Sequence, residues 1–358
     1  MPTNYIPPLG GSPVFCPYKV AGYSPPLSNY LNVKDAPYSA YGDNVHDDAG
    51  AIGDCMAAAA AAGKDVYIPA GTYLLETQLQ PPSHSCIRGA GVDTTILHAT
   101  YYYGFQIINA YHNITISDMT IDGDDPRTSE IHGLEANEFD DVTLERVKFL
   151  DCRYGFKASV RGTNLNMDTV TAVGCGQNYI SNTTGGTFTS CNFAVVTGTS
   201  PEGTSFHALY LCDNCHNLTF NTLTLSGGSN NADGYGHTLQ WWDEDVASTY
   251  ITFNNLTISA ARPIVIGGAN NLTFSTATIT KTLADDQGVF QVDGTVDLLV
   301  ENFTCSGGDG LIVLYGAGSF GTNCTFRDGT YTGPALSVAN GGTFTNLDTS
   351  DHVTFIET

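Results

Sequence analysis

The sequence predicts an all-β solenoid of about ten coils with one short helix near its N-terminus. From about residue 85 onward the chain repeats a short alternating strand, a turn rich in Asn, Asp or Gly, and two further alternating strands, with a period of roughly 20 to 33 residues. The chain holds a large core, because 42% of its residues are hydrophobic and only 14% are charged. The repeated units are residues 104–123, 132–151, 154–174, 178–196, 207–227, 237–260, 263–281, 288–307, 310–329 and 335–355.

Three regions follow one another along the chain. Residues 1–30 hold seven of the 15 prolines, which predicts an extended arm without regular structure. Residues 31–84 form the predicted N-terminal cap, with the first strands and an Ala-rich helix near residues 48–62. Asp47 and Asp48 are suitable N-cap residues for that helix, and Gly63 is a suitable C-cap. Residues 85–358 form the predicted parallel β-helix.

The charge of the chain excludes some partners and singles out one segment. A formal net charge of −23 argues against nucleic-acid binding, which depends on clustered Lys and Arg. Residues 127–161 are the exception, with six of the 13 cations beside seven acidic residues. We also expect no membrane span and no classical signal peptide, since no stretch of 18 apolar residues occurs and the first residues lack a basic segment followed by an apolar one.

Two periodic features are interpreted as architecture. Cys191, Cys305 and Cys324 occupy strand positions where sister coils carry Leu or Phe, which predicts buried core thiols. Cys212 and Cys215 form a C-x-x-C pair without a second zinc-binding half, so we expect a local disulfide or two turn thiols and assign no metal. Seven N-x-T triplets are interpreted as recurring turns rather than glycosylation sites; they begin at Asn113, Asn182, Asn217, Asn255, Asn271, Asn302 and Asn323.

Polar side chains recur at two positions on the first strands of five neighbouring coils. Strand alternation places the second of these positions on the outer face. Long connections at residues 122–131, 197–206 and 226–236 lead into the same edge of these first strands, which predicts a groove over the five coils. Insertions that are merely tolerated would give the same sequence pattern. The first position holds His132, Tyr154, Asn178, His207 and His237, and the second holds Glu135, Lys157, Ser181, Tyr210 and Gln240.

These residue types suit proton abstraction beside the carboxylate of a uronate. That chemistry needs a cation for the carboxylate, a base and an acid. We expect Lys157, with Arg153 or Arg161, to neutralise the carboxylate, and Tyr154 and His207 to act as acid and base. His132 is a predicted helper at the catalytic centre. The predicted substrate-binding residues are Glu135, Arg153, Arg161, Tyr210, His237, Gln240 and Trp242.

Other interpretations fit the same residues. Lys157 and Glu135 would also form a simple ion pair between coils, and each His would also satisfy a turn carbonyl. Trp241 and Trp242 either offer a stacking surface for a sugar ring or pack beneath a loop. Glycoside hydrolysis would instead need two carboxyl groups about 5 to 9.5 Å apart. The candidates for such a pair are Glu135, Glu202, Asp213, Asp243, Glu244 and Asp245.

A resemblance to a known superfamily rests on the N-terminal segment. The stretch NVKDAPYSAYGDNVHDDAGAI, followed by DVYIPAGTYLL, resembles the opening of pectate-lyase-like right-handed parallel β-helix proteins. The resemblance implies a right-handed coil. Lyases, epimerases, glycosidases and phage tailspikes share this opening, so it does not select a reaction.

A narrower resemblance, over roughly residues 31–212, is to the catalytic module of mannuronan C-5 epimerases. The segments NITISDMTIDG, DVTLERVKFLDCRYGF and FHALYL carry it. It matches Tyr154 to the family's catalytic Tyr and His207 to its later His. Lys157 stands where the family has Asp, and Ser159 stands where it has a second His. The family's calcium ion has no recognisable ligand motif in this sequence, and no other cofactor is implied.

The sequence therefore predicts an extracellular or virion-associated enzyme that acts on an acidic polysaccharide, as a lyase or an epimerase. Two alternatives stay open. One is a glycoside hydrolase of the phage tailspike depolymerase type, and the other is a non-catalytic glycan-binding spike or adhesin. The Pro-rich arm and the absence of a capping helix after residue 355 favour a homotrimer.

Overall fold

The protein is a right-handed parallel β-helix, as the sequence predicts. The computed structural model describes residues 29–109, 111–196, 206–228, 237–243, 247–282, 288–314, 319–338, 340 and 342–357. Nearly all of the Pro-rich arm and two of the three long connections thus lie outside the described residues. No helix among the described residues is long and apolar enough to cross a membrane.

Each coil contributes one strand to each of three parallel faces, here called faces A, B and C in chain order within a coil. Some long strands run round corners. The strands β8 (Tyr111–Asp122), β10 (Tyr154–Asp168) and β28 (Phe320–Thr332) each contribute to two faces, and β9 (His132–Leu150) contributes to all three. Face A begins with β7 (Tyr103–Ile107) and the starts of β9 and β10, and continues with β12 (Gln177–Ser181), β15 (Leu209–Cys212), β18 (Leu239–Trp242), β21 (Ile264–Gly267), β24 (Phe290–Asp293), β27 (Ile312–Leu314) and β29 (Ser337–Val338). These ten strands correspond to the ten predicted coils.

Face B follows face A in each coil. Besides parts of β8, β9, β10 and β28, it holds β1 (Tyr30–Asn32), β3 (Asp65–Ile68), β5 (Cys86–Gly89), β13 (Thr183–Thr189), β16 (His216–Phe220), β19 (Thr249–Phe253), β22 (Asn270–Phe274), β25 (Thr295–Glu301) and β30 (Thr343–Thr345).

Face C closes each coil and includes the ends of β8, β9 and β28. Its other strands are β2 (Asp43–Asp47), β4 (Gly71–Leu75), β6 (Thr95–Ala99), β11 (Thr171–Cys175), β14 (Cys191–Val195), β17 (Leu223–Ser226), β20 (Leu256–Ala260), β23 (Ala277–Lys281), β26 (Phe303–Ser306) and β31 (Asp348–Ile356).

The single described helix, α1 (Ala49–Ala62), packs against β1, β3 and β4 at the N-terminal end. Gly63 ends the helix in the left-handed conformation, with φ of 61°, as a C-cap should. Asp47 accepts a hydrogen bond from the Ala49 amide at 3.0 Å. Asp48 instead accepts the amides of Tyr41 and Gly42, so this carboxylate holds the preceding loop rather than the helix.

The core is built from identical side chains stacked on successive coils. On face B, the rings of Phe188, Phe220, Phe253 and Phe274 lie parallel, with centroid separations of 4.4, 4.7 and 4.9 Å. The cysteines predicted to lie in the core, Cys191, Cys305 and Cys324, are buried there. Cys212 and Cys215 are buried free thiols, and the Cys215 thiol donates to the Cys212 carbonyl at 3.4 Å.

The recurring asparagines are corner residues. A left-handed backbone is uncommon for residues other than Gly but tolerated by Asn, so a turn Asn is favoured at each corner. This supports the architectural interpretation of the N-x-T triplets. Six of their seven asparagines have positive φ, between 46° and 56°: Asn113, Asn182, Asn217, Asn271, Asn302 and Asn323.

We expect Phe253→Ala to destabilise the protein by about 3 to 5 kcal/mol, because the substitution leaves a cavity between two stacked rings. The urea midpoint measures this effect. Tyr250→Ala, on the same strand but 62% exposed, is the matched control and should change stability by less than about 0.5 kcal/mol. Equal losses in the two variants would show that the Phe stack does not carry the core.

Candidate functional site

The outer side of face A carries a continuous column of side chains that we call the outer column. The strand register confirms that Glu135 pairs with Lys157, and Tyr210 with Gln240. It corrects one member: Lys157 pairs with Tyr179, not with Ser181, and Tyr179 pairs with Tyr210. The described column is Gln106, Glu135, Lys157, Tyr179, Tyr210, Gln240, Val265, Gln291 and Val313.

A register shift explains the correction. The pairing of β10 with β12 slips between Tyr154 and Lys157, so Ile180 lies beside Ala158 rather than beside Phe156. Tyr154 accordingly pairs with Gln177 and not with the predicted Asn178. The Asn178 side chain is buried and donates to the Ala208 carbonyl at 2.9 Å, which ties two coils together.

His132 contacts Glu135 of the outer column. His132 Nδ1 lies 2.6 Å from Glu135 Oε2. Burial opposes ionisation of Glu135, but the hydrogen bond from His132 and the charge of Lys157 together hold the pKa of this carboxyl below its usual value. Burial lowers the pKa of His132. The pair is therefore a carboxylate beside a neutral imidazole, in which Nδ1–H donates to Glu135 and Nε2 keeps its lone pair.

Tyr154 lies beside this pair and between two cations. Its ring is 4.6 Å from the His132 ring, centroid to centroid, in an edge-on arrangement. The Arg153 guanidinium carbon lies 4.8 Å from the Tyr154 ring centroid, and Lys157 Nζ lies 5.5 Å from it. Lys157 Nζ is also 3.6 Å from Glu135 Oε1. The structure thus brings together five residues that the sequence analysis assigned to one site: His132, Glu135, Arg153, Tyr154 and Lys157.

The rings form an aromatic ladder along the outer side of face A. Successive centroid distances are 5.3 Å from Tyr103 to His132, 6.4 Å from Tyr154 to Tyr179, and 5.4 Å from Tyr179 to Tyr210. The sequence analysis missed Tyr103 and Tyr179. The run of three tyrosines at 101–103 could have indicated Tyr103 from the sequence. Nothing in the sequence indicates Tyr179, because its position in the column depends on the register shift in β10.

His207 and His237 are buried and face other groups. His207 is 4% exposed, and its Nδ1–H donates to the His237 carbonyl at 2.8 Å. Burial lowers the pKa of His207 to about 4, so the ring is neutral near pH 7. His237 Nε2 lies 3.1 Å from Gln291 Oε1, two coils further on. His207 contacts the aromatic ladder through Tyr210, with ring centroids 5.3 Å apart.

The other predicted binding residues are spread along the surface. Arg153 is 2% exposed, under the rings of Tyr154 and Phe206. Arg161 is exposed and lies beyond a second register shift that follows Ala158. Gln240 and Trp242 are half-buried on the outer side of face A, and the Trp242 ring lies over Gly267 of the next coil.

The cations of residues 127–161 are largely neutralised by carboxylates. Five of the six form ion pairs, most of them between coils, as one of the alternatives anticipated. The pairs and their N–O distances are Arg127 with Asp125 at 2.8 Å, Arg146 with Asp118 at 2.6 Å, Lys148 with Asp93 at 2.8 Å, Arg153 with Glu130 at 3.5 Å, and Lys157 with Glu135 at 3.6 Å.

Two of the carboxylates considered for hydrolysis, Asp213 and Asp243, lie in the turns that follow paired strands of adjacent coils. Burial raises the pKa of Asp243, and the negative charge of Asp213 adds to this effect. Asp243 accepts hydrogen bonds from the Trp241 indole and from Ser248, which makes it a turn anchor. Asp213 accepts from the Cys212 thiol in the turn after β15. Glu202, Glu244 and Asp245 lie outside the described residues.

No three His, Cys, Asp or Glu side chains group as metal ligands within the described residues. The described residues therefore offer no such cluster for the calcium ion that the epimerase resemblance implies, and the proposed function does not require this ion.

Comparison with known proteins agrees with the fold. Mannuronan C5-epimerase AlgE5 of Azotobacter vinelandii is 33% identical over 162 residues, which cover 38% of this chain and 16% of the epimerase. The A-module of the related AlgE4 has 18% identity and a TM-score of 0.55, over 91% of this chain and 99% of that module. The Dettilon tailspike protein has 13% identity and a TM-score of 0.63, over 92% of this chain and 69% of the tailspike. These two structures support the fold alone.

A family match covers more than half of the chain. The family described as rhamnogalacturonase A/epimerase, pectate lyase-like, matches residues 30–281, which include α1, the aromatic ladder and the outer column from Gln106 to Val265. The chain belongs to this pectate lyase-like family.

Proposed function

We propose that the protein is a carbohydrate-active enzyme that removes the proton next to the carboxylate of a uronate in an acidic polysaccharide. The observation that carries the proposal is the 2.6 Å contact between His132 and Glu135, on the same outer face as Tyr154 and Lys157. The family match and the epimerase relative support a polysaccharide as the substrate.

Lys157 is the residue proposed to bind the uronate carboxylate. Its side chain is partly exposed, whereas Arg153 is buried and acts on the site only through its charge. Neutralising the carboxylate stabilises the negative charge that develops on it when the neighbouring C–H bond breaks. Glu135 holds Lys157 from the other side and keeps the site close to neutral before the substrate arrives.

His132 is the proposed proton acceptor. Its Nδ1–H is committed to Glu135, so Nε2 is the atom left to take the proton. The carboxylate then stabilises the imidazolium that forms. Because burial keeps the resting imidazole neutral, the base is available near pH 7.

Tyr154 is the proposed proton donor. If its proton goes to the leaving glycosidic oxygen, the C–O bond breaks and an unsaturated sugar end forms. If its proton instead returns to the carbon from the opposite face, the sugar is epimerised. Both outcomes begin with the same carbanion-like state, and the flanking cations stabilise the phenolate that remains.

Gln240, Tyr210 and Trp242 are proposed to bind neighbouring sugars, because the outer column continues through them. We propose no proton-transfer role for His207, because its Nδ1–H donates to a carbonyl and its ring is buried. We further propose that the protein is extracellular or virion-associated and that it forms a homotrimeric spike. Localisation experiments would test the first proposal, and light scattering would test the second.

We expect Tyr154→Phe to lower the turnover number by about 10² to 10⁴, because the substitution removes the donor and keeps the ring. The assay incubates uronate polysaccharides with the protein in D₂O and follows both deuterium uptake at the carbon beside the carboxylate and absorbance of unsaturated ends. Deuterium uptake reports an epimerase, because the carbon beside the carboxylate is reprotonated from solvent-exchanged Tyr154. A lyase is reported by unsaturated ends, because the same carbon becomes part of a C=C bond and carries no hydrogen. Tyr250→Phe is the matched control. Reducing ends released without unsaturation or deuterium uptake would instead establish hydrolysis.

Glu135→Gln should reduce the turnover number at least about tenfold while KM stays the same or falls. The neutral amide no longer stabilises the His132 imidazolium, yet Lys157 loses a competitor for the substrate carboxylate. Glu301→Gln, which removes an ion pair with Arg327 on face B, is the control for a general loss of stability. A rise in KM with unchanged turnover would contradict the role given to Glu135.

His207→Gln should reduce the pH dependence of stability between about pH 6.5 and 4. In this range the unfolded chain takes up a proton on His207 while the folded chain, with a pKa of about 4, does not. The wild type therefore loses stability on acidification, by on the order of 3 kcal/mol from this residue. Urea midpoints of both proteins at pH 7 and pH 4.5 measure the difference. A parallel fall in the two proteins would mean that His207 is not held neutral by burial.

A further inference from the structure

A pair of histidines lies at the corner that leads into face B. His84 precedes β5 and His112 lies near the start of β8, so the two residues belong to adjacent coils. The distance from His84 Nε2 to His112 Nε2 is 3.1 Å. The two rings meet at 90°, with centroids 4.6 Å apart. Neither residue takes part in the function proposed above.

The separation of the two nitrogens suits a shared metal ion. Two ligands that each lie about 2.0 to 2.1 Å from one ion, at an angle of about 90° to 110°, are about 2.9 to 3.4 Å apart. The 3.1 Å between the Nε2 atoms falls within this range. His84 is exposed and His112 is partly exposed, so an ion can reach the pair from solvent.

The other nitrogen of each ring already has a polar neighbour. His112 Nδ1 lies 3.4 Å from Ser83 Oγ, which also accepts the His112 amide at 3.2 Å. His84 Nδ1 lies 3.4 Å from the side-chain amide of Asn113, which offers its Oδ1 as an acceptor when the amide is turned over. A metal-binding histidine usually donates its second N–H to such a group, which orients the ring and leaves the lone pair of Nε2 for the ion.

The turn at His84 does not itself require a histidine. His84 has a positive φ of 63°, as do the residues that follow it at the same corner in successive coils, Asn113, Asp141 and Asn164. Asn and Asp tolerate this left-handed backbone well and fill the corner in those coils. The geometry of the corner therefore does not account for the imidazole that faces His112.

The charge around the pair favours a cation. Asp140 lies beside His112 in the strand register, on the next coil, and its side chain is exposed. A nearby carboxylate lowers the free energy of a bound dication. The formal net charge of −23 adds a long-range attraction for cations.

The ligand type selects the kind of ion. Imidazole nitrogen suits Zn²⁺, Cu²⁺ and Ni²⁺, whereas Ca²⁺ and Mg²⁺ prefer oxygen ligands. Among the described residues no group of three His, Cys, Asp or Glu side chains surrounds an ion, so water would complete the coordination of an ion held by two imidazoles.

We infer that His84 and His112 form a binding site for a first-row transition-metal dication. The ion joins side chains of two adjacent coils, so it binds the folded protein and stabilises it. The site is independent of the proposed function, which requires no metal ion.

Isothermal titration calorimetry of the untagged protein with NiCl₂ near neutral pH tests the inference. We expect a single Ni²⁺ ion to bind, with an affinity that falls at least about tenfold in His112→Gln and in His84→Asn, because each variant lacks one of the two ligands. His84→Asn carries the residue type of other corners and should therefore fold normally. His352→Gln, which changes an exposed histidine on face C, is the matched control and should bind Ni²⁺ as the wild type does.

The pH dependence of binding identifies the ligands. Both imidazoles must be unprotonated, so below about pH 6 the Ni²⁺ affinity should fall by up to about 10²-fold per pH unit in the wild type and by about tenfold per unit in the single variants. Ni²⁺ should also raise the thermal unfolding midpoint of the wild type but not that of His84→Asn.

Three outcomes would show that the inference is wrong: no Ni²⁺ binding to the wild type, wild-type affinity in both His84→Asn and His112→Gln, or displacement of Ni²⁺ by excess CaCl₂. Thermal unfolding in buffer with a chelator confirms that each variant is folded before metal is added.

Discussion

The parallel hydrogen-bonded register between coils is the constraint on which the rest of the structure depends. Each strand lies about 4.8 Å from the same strand of the next coil, so equivalent positions stack directly. Inside the solenoid this produces the parallel rings of Phe188, Phe220, Phe253 and Phe274. At the corners it produces recurring asparagines with a left-handed backbone. On the outer side of face A it produces the outer column and the aromatic ladder.

Stacking also governs the electrostatics of the protein. An acidic body would repel an acidic polysaccharide, and the cations of residues 127–161 are mostly held by carboxylates of adjacent coils. What distinguishes the proposed centre is therefore the exposure of Lys157 and the position of Tyr154 between two cations, rather than an excess of positive charge.

Much of this arrangement follows from the sequence because a solenoid makes long-range contacts periodic. The ten coils and the pairing of Glu135 with Lys157 follow from aligning one repeat with the next. The helix that Gly63 caps follows instead from its Ala-rich run and its cap residues. The alignment failed where the period changes locally. The register shift in β10 places Tyr179 in the outer column instead of Ser181, and no residue type marks that shift in advance.

The sequence by itself therefore determined the fold and which coils carry the polar residues, because hydrophobic alternation and turn residues report directly on strands and corners. Only the tertiary structure decided what those residues face. His207 is buried and neutral against a carbonyl, and Arg153 lies beneath two rings, whereas His132 contacts the carboxylate of Glu135. The surroundings of these three side chains depend on how side chains from separate coils pack and on the paths of the loops. Neither feature repeats from coil to coil, so the repeat pattern of the sequence does not predict them.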